Sequence, residues 1–191
     1  MAEERAAYGR KLAAIEPGRL IFLDESGVST NMTRRHARAP RGERACGAAP
    51  DGWRHVTLLG ALAQDGLAAM MSIEAAASTP VFLAFLDQVL PPELVRSKPG
   101  ATIIMDNLSV HKSPQVRARI EAAGCRLEYL PRYSPDLNPI EPCWSKLKTL
   151  LCAKEARSVE ALDRELPGIL DHISAQDAQG WFRHCGYATP N

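Results

Sequence analysis

Apolar and polar positions along the chain switch between a two-residue and a 3.6-residue period, so strands and helices can be placed in turn. Residues 3–15 are rich in Ala and charge and predict a short helix that ends before Pro17-Gly18. Leu20-Ile21-Phe22-Leu23 is a fully apolar run of strand length, and Asp24-Glu25-Ser26-Gly27 behind it reads as a polar turn. Residues 28–54, rich in Arg, Ala, Pro and Gly, predict one short strand among loops. Residues 56–63 and 67–73 are apolar and flank Gln64-Asp65-Gly66, a hairpin signal. Ser78-Thr79-Pro80 opens a helix that continues through Val81, Phe82, Phe85, Leu86 and Val89 and stops at Pro91-Pro92. Residues 101–105 form another apolar strand, ending on Asp106. Ser113-Pro114 starts a helix that closes at Gly124, and residues 126–130 form a third such strand. A proline-rich loop over 131–139 leads into a helix through Trp144, Leu147, Leu150 and Leu151. An amphipathic helix over 158–173, kinked at Pro167, and a short helix from Ser174 complete the order.

Strands alternating with helices in the second half imply parallel pairing, and the early hairpin implies an antiparallel part. The expected class is α/β: one mixed sheet with helices on both faces. The expected division is an N-terminal helical extension over 1–19, a central unit over 20–155, and C-terminal helices over 156–191 packed on the same domain.

With 191 residues, 46% hydrophobic and 24% charged, the chain is globular rather than disordered. No apolar run approaches the ~18–20 residues needed to span a bilayer, and the charged N-terminus lacks a signal-peptide core. The expected location is cytoplasmic. Net charge is +1, which excludes a polybasic protein holding nucleic acid by bulk charge but not a local basic surface. Five cysteines with no C-x-x-C pair argue against a disulfide framework or a structural zinc site.

Two apolar strands lead into an acid, Asp24 and Asp106. In open α/β sheets such positions lie where ligands bind. Neighbouring strands would bring the carboxylates together, where they repel unless a hard divalent cation such as Mg²⁺ or Mn²⁺ joins them. Each Asp taken alone reads rather as a turn cap. Glu141 opens the helix after Pro139, with 34 residues between it and Asp106, and can be aimed at the same point. Two alternatives stand beside it. Asn138 and Glu141 have capping-box spacing, and Asp136 is a rival third acid.

Phe22-Leu23-Asp24-Glu25-Ser26, Met105-Asp106-Asn107 with His111, and Tyr133-Ser134-Pro135-Asp136-Leu137-Asn138-Pro139-Ile140-Glu141 with Trp144 resemble the catalytic domain of mariner-superfamily transposases. The likeness is closer still to their bacterial insertion-sequence relatives, and it spans roughly residues 20–151. The resemblance implies a ribonuclease-H-like fold whose Asp-Asp-Glu triad, here Asp24, Asp106 and Glu141, binds two Mg²⁺ (or Mn²⁺) ions. Two ions about 3.5–4 Å apart serve in-line attack on DNA phosphodiesters, first by water and then by the freed 3′-hydroxyl. The implied activity is that of a transposase, a DNA nuclease and strand transferase acting at element ends and joining them to target DNA at TA dinucleotides.

Around that triad, Asn107, His111 and Asn138 are expected to support the acids or touch DNA, with a surface histidine and a simple turn as the alternatives for His111 and Asn107. Glu25 should point away from the metals. Arg34, Arg35, Arg38, Arg41 and Arg44, with His36 nearby and one acid, Glu43, are the best candidates for phosphate contacts, and Lys146 and Lys148 could help. Trp144 reads as core. Double-stranded DNA is the expected partner, with a homodimer in the DNA complex and nucleoid association when bound. Only 23 residues precede Asp24, too few for helix-turn-helix recognition domains. Either a recognition module encoded in a separate or frameshifted reading frame, or a truncated remnant, is expected on that ground. Competing readings are an inactive remnant that binds only DNA or a partner, and a nuclease of the same fold with another substrate.

Overall fold

The computed structural model describes residues 2–34, 36–89 and 98–187. Helix α1 (Ala2–Leu12) leads through a short 3₁₀ turn into β1 (Leu20–Ser29), followed by β2 (His55–Ala63) and β3 (Gly66–Ile73). Then come α2 (Thr79–Val89), β4 (Thr102–Met105), α3 (Pro114–Ala122), β5 (Arg126–Tyr129), α4 (Ile140–Lys154), α5 (Val159–Leu170) and α6 (Ala175–His184). The sheet order is β3-β2-β1-β4-β5, antiparallel between the first three strands and parallel from β1 onward. Apolar residues alternate across it. Leu20, Phe22 and Ile104 face α1, α4, α5 and α6; Ile21, Leu23, Ile103 and Met105 face α2 and α3. The sheet is therefore mixed and covered on both faces, as the sequence pattern predicts.

The sequence reading is wrong about Asp24-Glu25-Ser26-Gly27, which continue β1 instead of turning. Strand β2 supplies antiparallel partners along this whole stretch, from Asp24↔Gly60 to Gly27↔Thr57, and Val28 resumes the buried alternation. Pairing with β4, in contrast, extends only from Leu20↔Thr102 to Phe22↔Ile104. Asp24 thus lies where β1 runs past the end of β4, and Asp106 directly follows that end.

Residues 31–54 hold no helix or strand among the described positions, against the expected short strand. No apolar alternation there can hold an edge to the sheet, and past Thr33 the segment is exposed. Its ends are tied where Thr30 N–H donates to Arg54 O and Arg54 N–H to Thr30 Oγ1. Ser113, Ser158 and Ser174 cap α3, α5 and α6. The helix of α5 is continuous through Pro167 and ends at Leu170, three residues before the predicted end. The predicted stop at Pro91-Pro92 lies outside the described residues. Among the described residues no helix is long and apolar enough to cross a membrane.

Candidate active site

Alternation along β1 puts Asp24 on the face covered by α4 and Glu25 on the opposite face. Asp24 is buried, and its Oδ2 accepts hydrogen bonds from Asn138 Nδ2 and Trp144 Nε1, both at 3.3 Å. Trp144 reaches it by packing against β2 at Gly60, where a Cβ would come within 2.5 Å of the indole ring. Asp106 Oδ1 accepts from Leu108 N–H at 2.9 Å and lies 2.7 Å from His111 Nδ1. Glu141, exposed in the first turn of α4, completes the wall. The three acids line one cavity of about 550 Å³, shared with Lys112, Arg132 and Tyr133.

The two alternatives for the third acid separate here. No side-chain bond caps α4, because Asn138 turns its amide to Asp24, so Glu141 is free of a capping box. Asp136 does not line the cavity; both its oxygens bond the Arg5 guanidinium.

His111 is not a surface residue. It is fully buried against Phe82, ring centroids 4.7 Å apart, with Nε2 3.0 Å from Glu25 Oε2. That second contact is electrostatic rather than an aligned hydrogen bond, since neither atom has a hydrogen-bond partner among the described residues. Burial disfavours the charged ring, but the Asp106 bond and the Glu25 carboxylate outweigh it and raise His111 to about 9. The ring is therefore an imidazolium at neutral pH, joining two acids from opposite faces of the sheet. Asp106 responds inversely. Burial opposes its charge, yet His111, the Leu108 N–H and Lys112 together hold it below the usual carboxylate range.

Among the described residues Asp24 has no such cation. Burial first, then the Glu141, Glu25 and Asp106 charges, push it up to about 7. Among the described residues no three acids, histidines or cysteines are close enough to hold a metal ion as they stand. The donor set nevertheless fits a hard divalent cation. Three carboxylates converge on one cavity, the pKa of one raised by burial and then by its neighbours' charge, and the buried Asn138 Oδ1 lacks a hydrogen-bond partner among the described residues.

The remaining sequence candidates divide. Asn107 donates to Leu130 O and so ties the ends of β4 and β5, and it also lines the cavity. Neither His111 nor Asn138 has surface to offer DNA. Arg34 and His36 line a second groove, of about 530 Å³, with Ser145, Lys148 and Thr149 on α4. Arg38, Arg41 and Arg44 are exposed on the irregular segment, and Arg35 lies outside the described residues. Lys146 does not join this surface, because its Nζ pairs with Asp177 of α6 at 2.7 Å. Sequence reasoning missed the Trp144 bond to Asp24 and the Glu25–His111 contact. It also passed over Lys112 and Arg132, for which only proximity to the acid motifs was a signal, and gave Tyr133 no role beyond its place in the motif.

The fold is similar to solved structures of the Mos1 transposase. A pre-cleavage Mos1 transpososome matches with a TM-score of 0.79 at 16% identity, covering 96% of this chain and 57% of that one. The Mos1 mariner paired end complex with Mn gives 0.76 at 18% identity, covering 95% and 58%. The catalytic domain of Mos1 mariner transposase alone gives 0.69 at 13% identity, covering 96% and 85%. The chain thus spans little more than half the length of the complete transposases. No curated protein matches it. The family model described as DDE superfamily endonuclease matches residues 19–163, three quarters of the chain and all three acids, and the chain belongs to that family.

Proposed function

We propose that this chain is the catalytic domain of a DNA transposase, cutting phosphodiesters at element ends and joining 3′-hydroxyl ends to target DNA. The observation that carries this reading is the convergence of Asp24, Asp106 and Glu141 on one cavity, with a repulsion at Asp24 that a cation would relieve. These three residues would hold two Mg²⁺ or Mn²⁺ ions. When bound, such ions supply Lewis-acid stabilisation of the attacking and leaving oxygens. The chain's own groups orient the ligands. Asn138 and Trp144 fix the Asp24 carboxylate, and the His111 imidazolium fixes Asp106 and keeps it ionised.

Duplex DNA would be held through phosphates by Arg34, Arg38, Arg41, Arg44 and Lys148, which carry no sequence information. End recognition then falls to a further helix-turn-helix module, as a separate chain or segment, and to a homodimer in the DNA complex. The test is strand transfer of a pre-cut 3′-hydroxyl end into plasmid with Mn²⁺, with and without any adjacent upstream reading frame. Product from the wild type and none from Asp106→Asn is expected. DNA binding with no metal-dependent product under either condition would leave a binding protein instead.

A further inference from the structure

His111 is held from several sides, and one of its anchors stands on the far face of the sheet. Nδ1 lies 2.7 Å from Asp106 Oδ1 and Nε2 lies 3.0 Å from Glu25 Oε2. The ring packs on Phe82, and the backbone oxygen accepts from Tyr129 Oη at 2.9 Å. Glu25 is itself largely enclosed, its side chain 16% exposed. Burying a carboxylate and a ring cation costs desolvation that their pairing only repays, so an apolar side chain beside Phe82 would serve the core as well. The contact therefore calls for a reason other than stability. Its effect falls on the orientation of the ring. A half-turn of the imidazole exchanges Nδ1 for Cδ2 and Nε2 for Cε1, so it loses both acids at once. Without Glu25, the Asp106 contact alone would orient the ring, which would be free to pivot about it. That orientation matters to the cavity. Asp106 Oδ1 takes both the His111 and the Leu108 N–H contacts, which leaves Oδ2 with no hydrogen-bond partner among the described residues and available to the cavity.

We infer that Glu25 is a positioning residue for the Asp106 carboxylate, acting across the sheet through His111. The inference rests on the reading of the three acids as a metal-binding catalytic site. Glu25 does not line the cavity itself. Adjacent residues of β1 thus serve two different ligands. Asp24, on the face of α4, is one of the acids, and Glu25, on the other face, orients the next. Their pairing with β2, Asp24↔Gly60 and Glu25↔Leu59, delivers both in a single register. Groups that orient a metal ligand from behind are worth about 10- to 100-fold in metal affinity. Glu25 stands in that relation to Asp106 with one imidazole between them.

Calorimetric titration of the full chain with Mn²⁺ at one fixed pH reads the effect in Glu25→Met and Glu25→Gln. Methionine is close to glutamate in length but offers Nε2 only a weak acceptor, whereas glutamine keeps an acceptor oxygen and loses the charge. Glu25→Met should weaken Mn²⁺ binding about 10- to 100-fold, and Glu25→Gln should recover most of that loss. In the metal-free protein the His111 Nδ1–H proton resonance should be sharp in wild type and in Glu25→Gln, and broadened in Glu25→Met. On a His111→Gln background Glu25→Met should add little, because the connection is already cut. Glu25→Ala repeats the comparison should methionine not fit. Unchanged Mn²⁺ affinity without the carboxylate would overturn the inference. So would equal losses in Glu25→Met and Glu25→Gln, which would mean that the charge of Glu25 acts through space. So would a full additional loss on the His111→Gln background. Strand transfer with Mn²⁺, measured on the same preparations, separates the two readings. Wild-type strand transfer with an affinity indifferent to Glu25 removes the positioning role alone. Glu25-dependent Mn²⁺ binding without strand transfer removes the transposase reading alone.

Discussion

Replacing Asp24 by Asn should make the metal-free protein more stable, although it removes a residue proposed to be essential. The carboxyl is buried and is raised from its ordinary 3.8 to about 7. Between those pH values the unfolded chain has released the proton and the folded protein still holds it. Stability therefore falls as pH rises from about 4 to 7 and then levels off. About three pH units at roughly 1.4 kcal/mol each bound the effect at about 4 kcal/mol. Asparagine has no charge to bury, and its oxygen can keep both the Asn138 and Trp144 hydrogen bonds, which converge on Oδ2. The variant should thus gain up to about 4 kcal/mol over wild type at pH 8, roughly 8–16 °C in Tm for a chain of this size, and nothing at pH 4. Thermal unfolding in EDTA at both pH values measures this. Added Mn²⁺ should close most of that gap at pH 8, because wild type gains about 2.7 kcal/mol at a hundredfold excess over Kd and the variant does not. A variant less stable than wild type at pH 8 in EDTA, or a gain equal at both pH values, would refute the reasoning.

His111→Gln should flatten the alkaline limb of the stability curve. The raised His111 pKa stabilises the fold fully below pH 6.5 and is lost through about 9, a change on the order of 3 kcal/mol that denaturant midpoints at pH 6 and 9.5 would detect only in wild type. Gly60→Ala should push the Trp144 indole from its seat, costing about 1–3 kcal/mol and changing tryptophan emission; an unchanged spectrum would mean that ring is not held there. Replacing Arg34, Arg38 and Arg41 together by Ala should weaken binding to every duplex alike and reduce the log–log salt slope by about 3, as salt titrations of random-sequence DNA would show.

Much of this arrangement is legible in the chain because it depends on strand ends and helix starts. Apolar runs into Asp24 and Asp106 and the turn into Glu141 mark positions that a parallel pair and a following helix bring together. The misread turn at Asp24-Glu25-Ser26-Gly27 has a physical origin. Four small or acidic residues carry no apolar alternation, and only the hydrogen-bonding edge of β2, far along the chain, makes them a strand. Contacts that depend on neighbouring elements left no local trace. Trp144 reads as core and is core, but its N–H finds Asp24 only because residue 60 has no side chain. Lys146 and Lys148 are two apart on α4, so they diverge, one toward α6 and the other toward the Arg34 groove.

The charges explain why the site stands ready for a cation on one side of the sheet only. Asp24, Glu25, Asp106 and Glu141 bring four carboxylates to one end of β1 and β4. His111 answers two of them from the far face, lying between Glu25 and Asp106 with its ring excluded from water. That leaves Asp24 and Glu141 facing the cavity with no buried cation between them among the described residues, and burial together with the unmet repulsion raises the pKa of the buried partner. A positive ion entering the cavity therefore meets a preformed Asp106 carboxylate, an exposed Glu141 and a half-protonated Asp24. Its binding must displace the Asp24 proton below neutrality. Metal affinity should consequently rise with pH, by no more than tenfold per unit, and stop rising above about 7, where that proton has already left. In Asp24→Asn the same titration should be flat across this range. A wild-type affinity that kept climbing from pH 7 to 9 would place the linked proton on another group, and His111, deprotonating near 9, would be the group to test next.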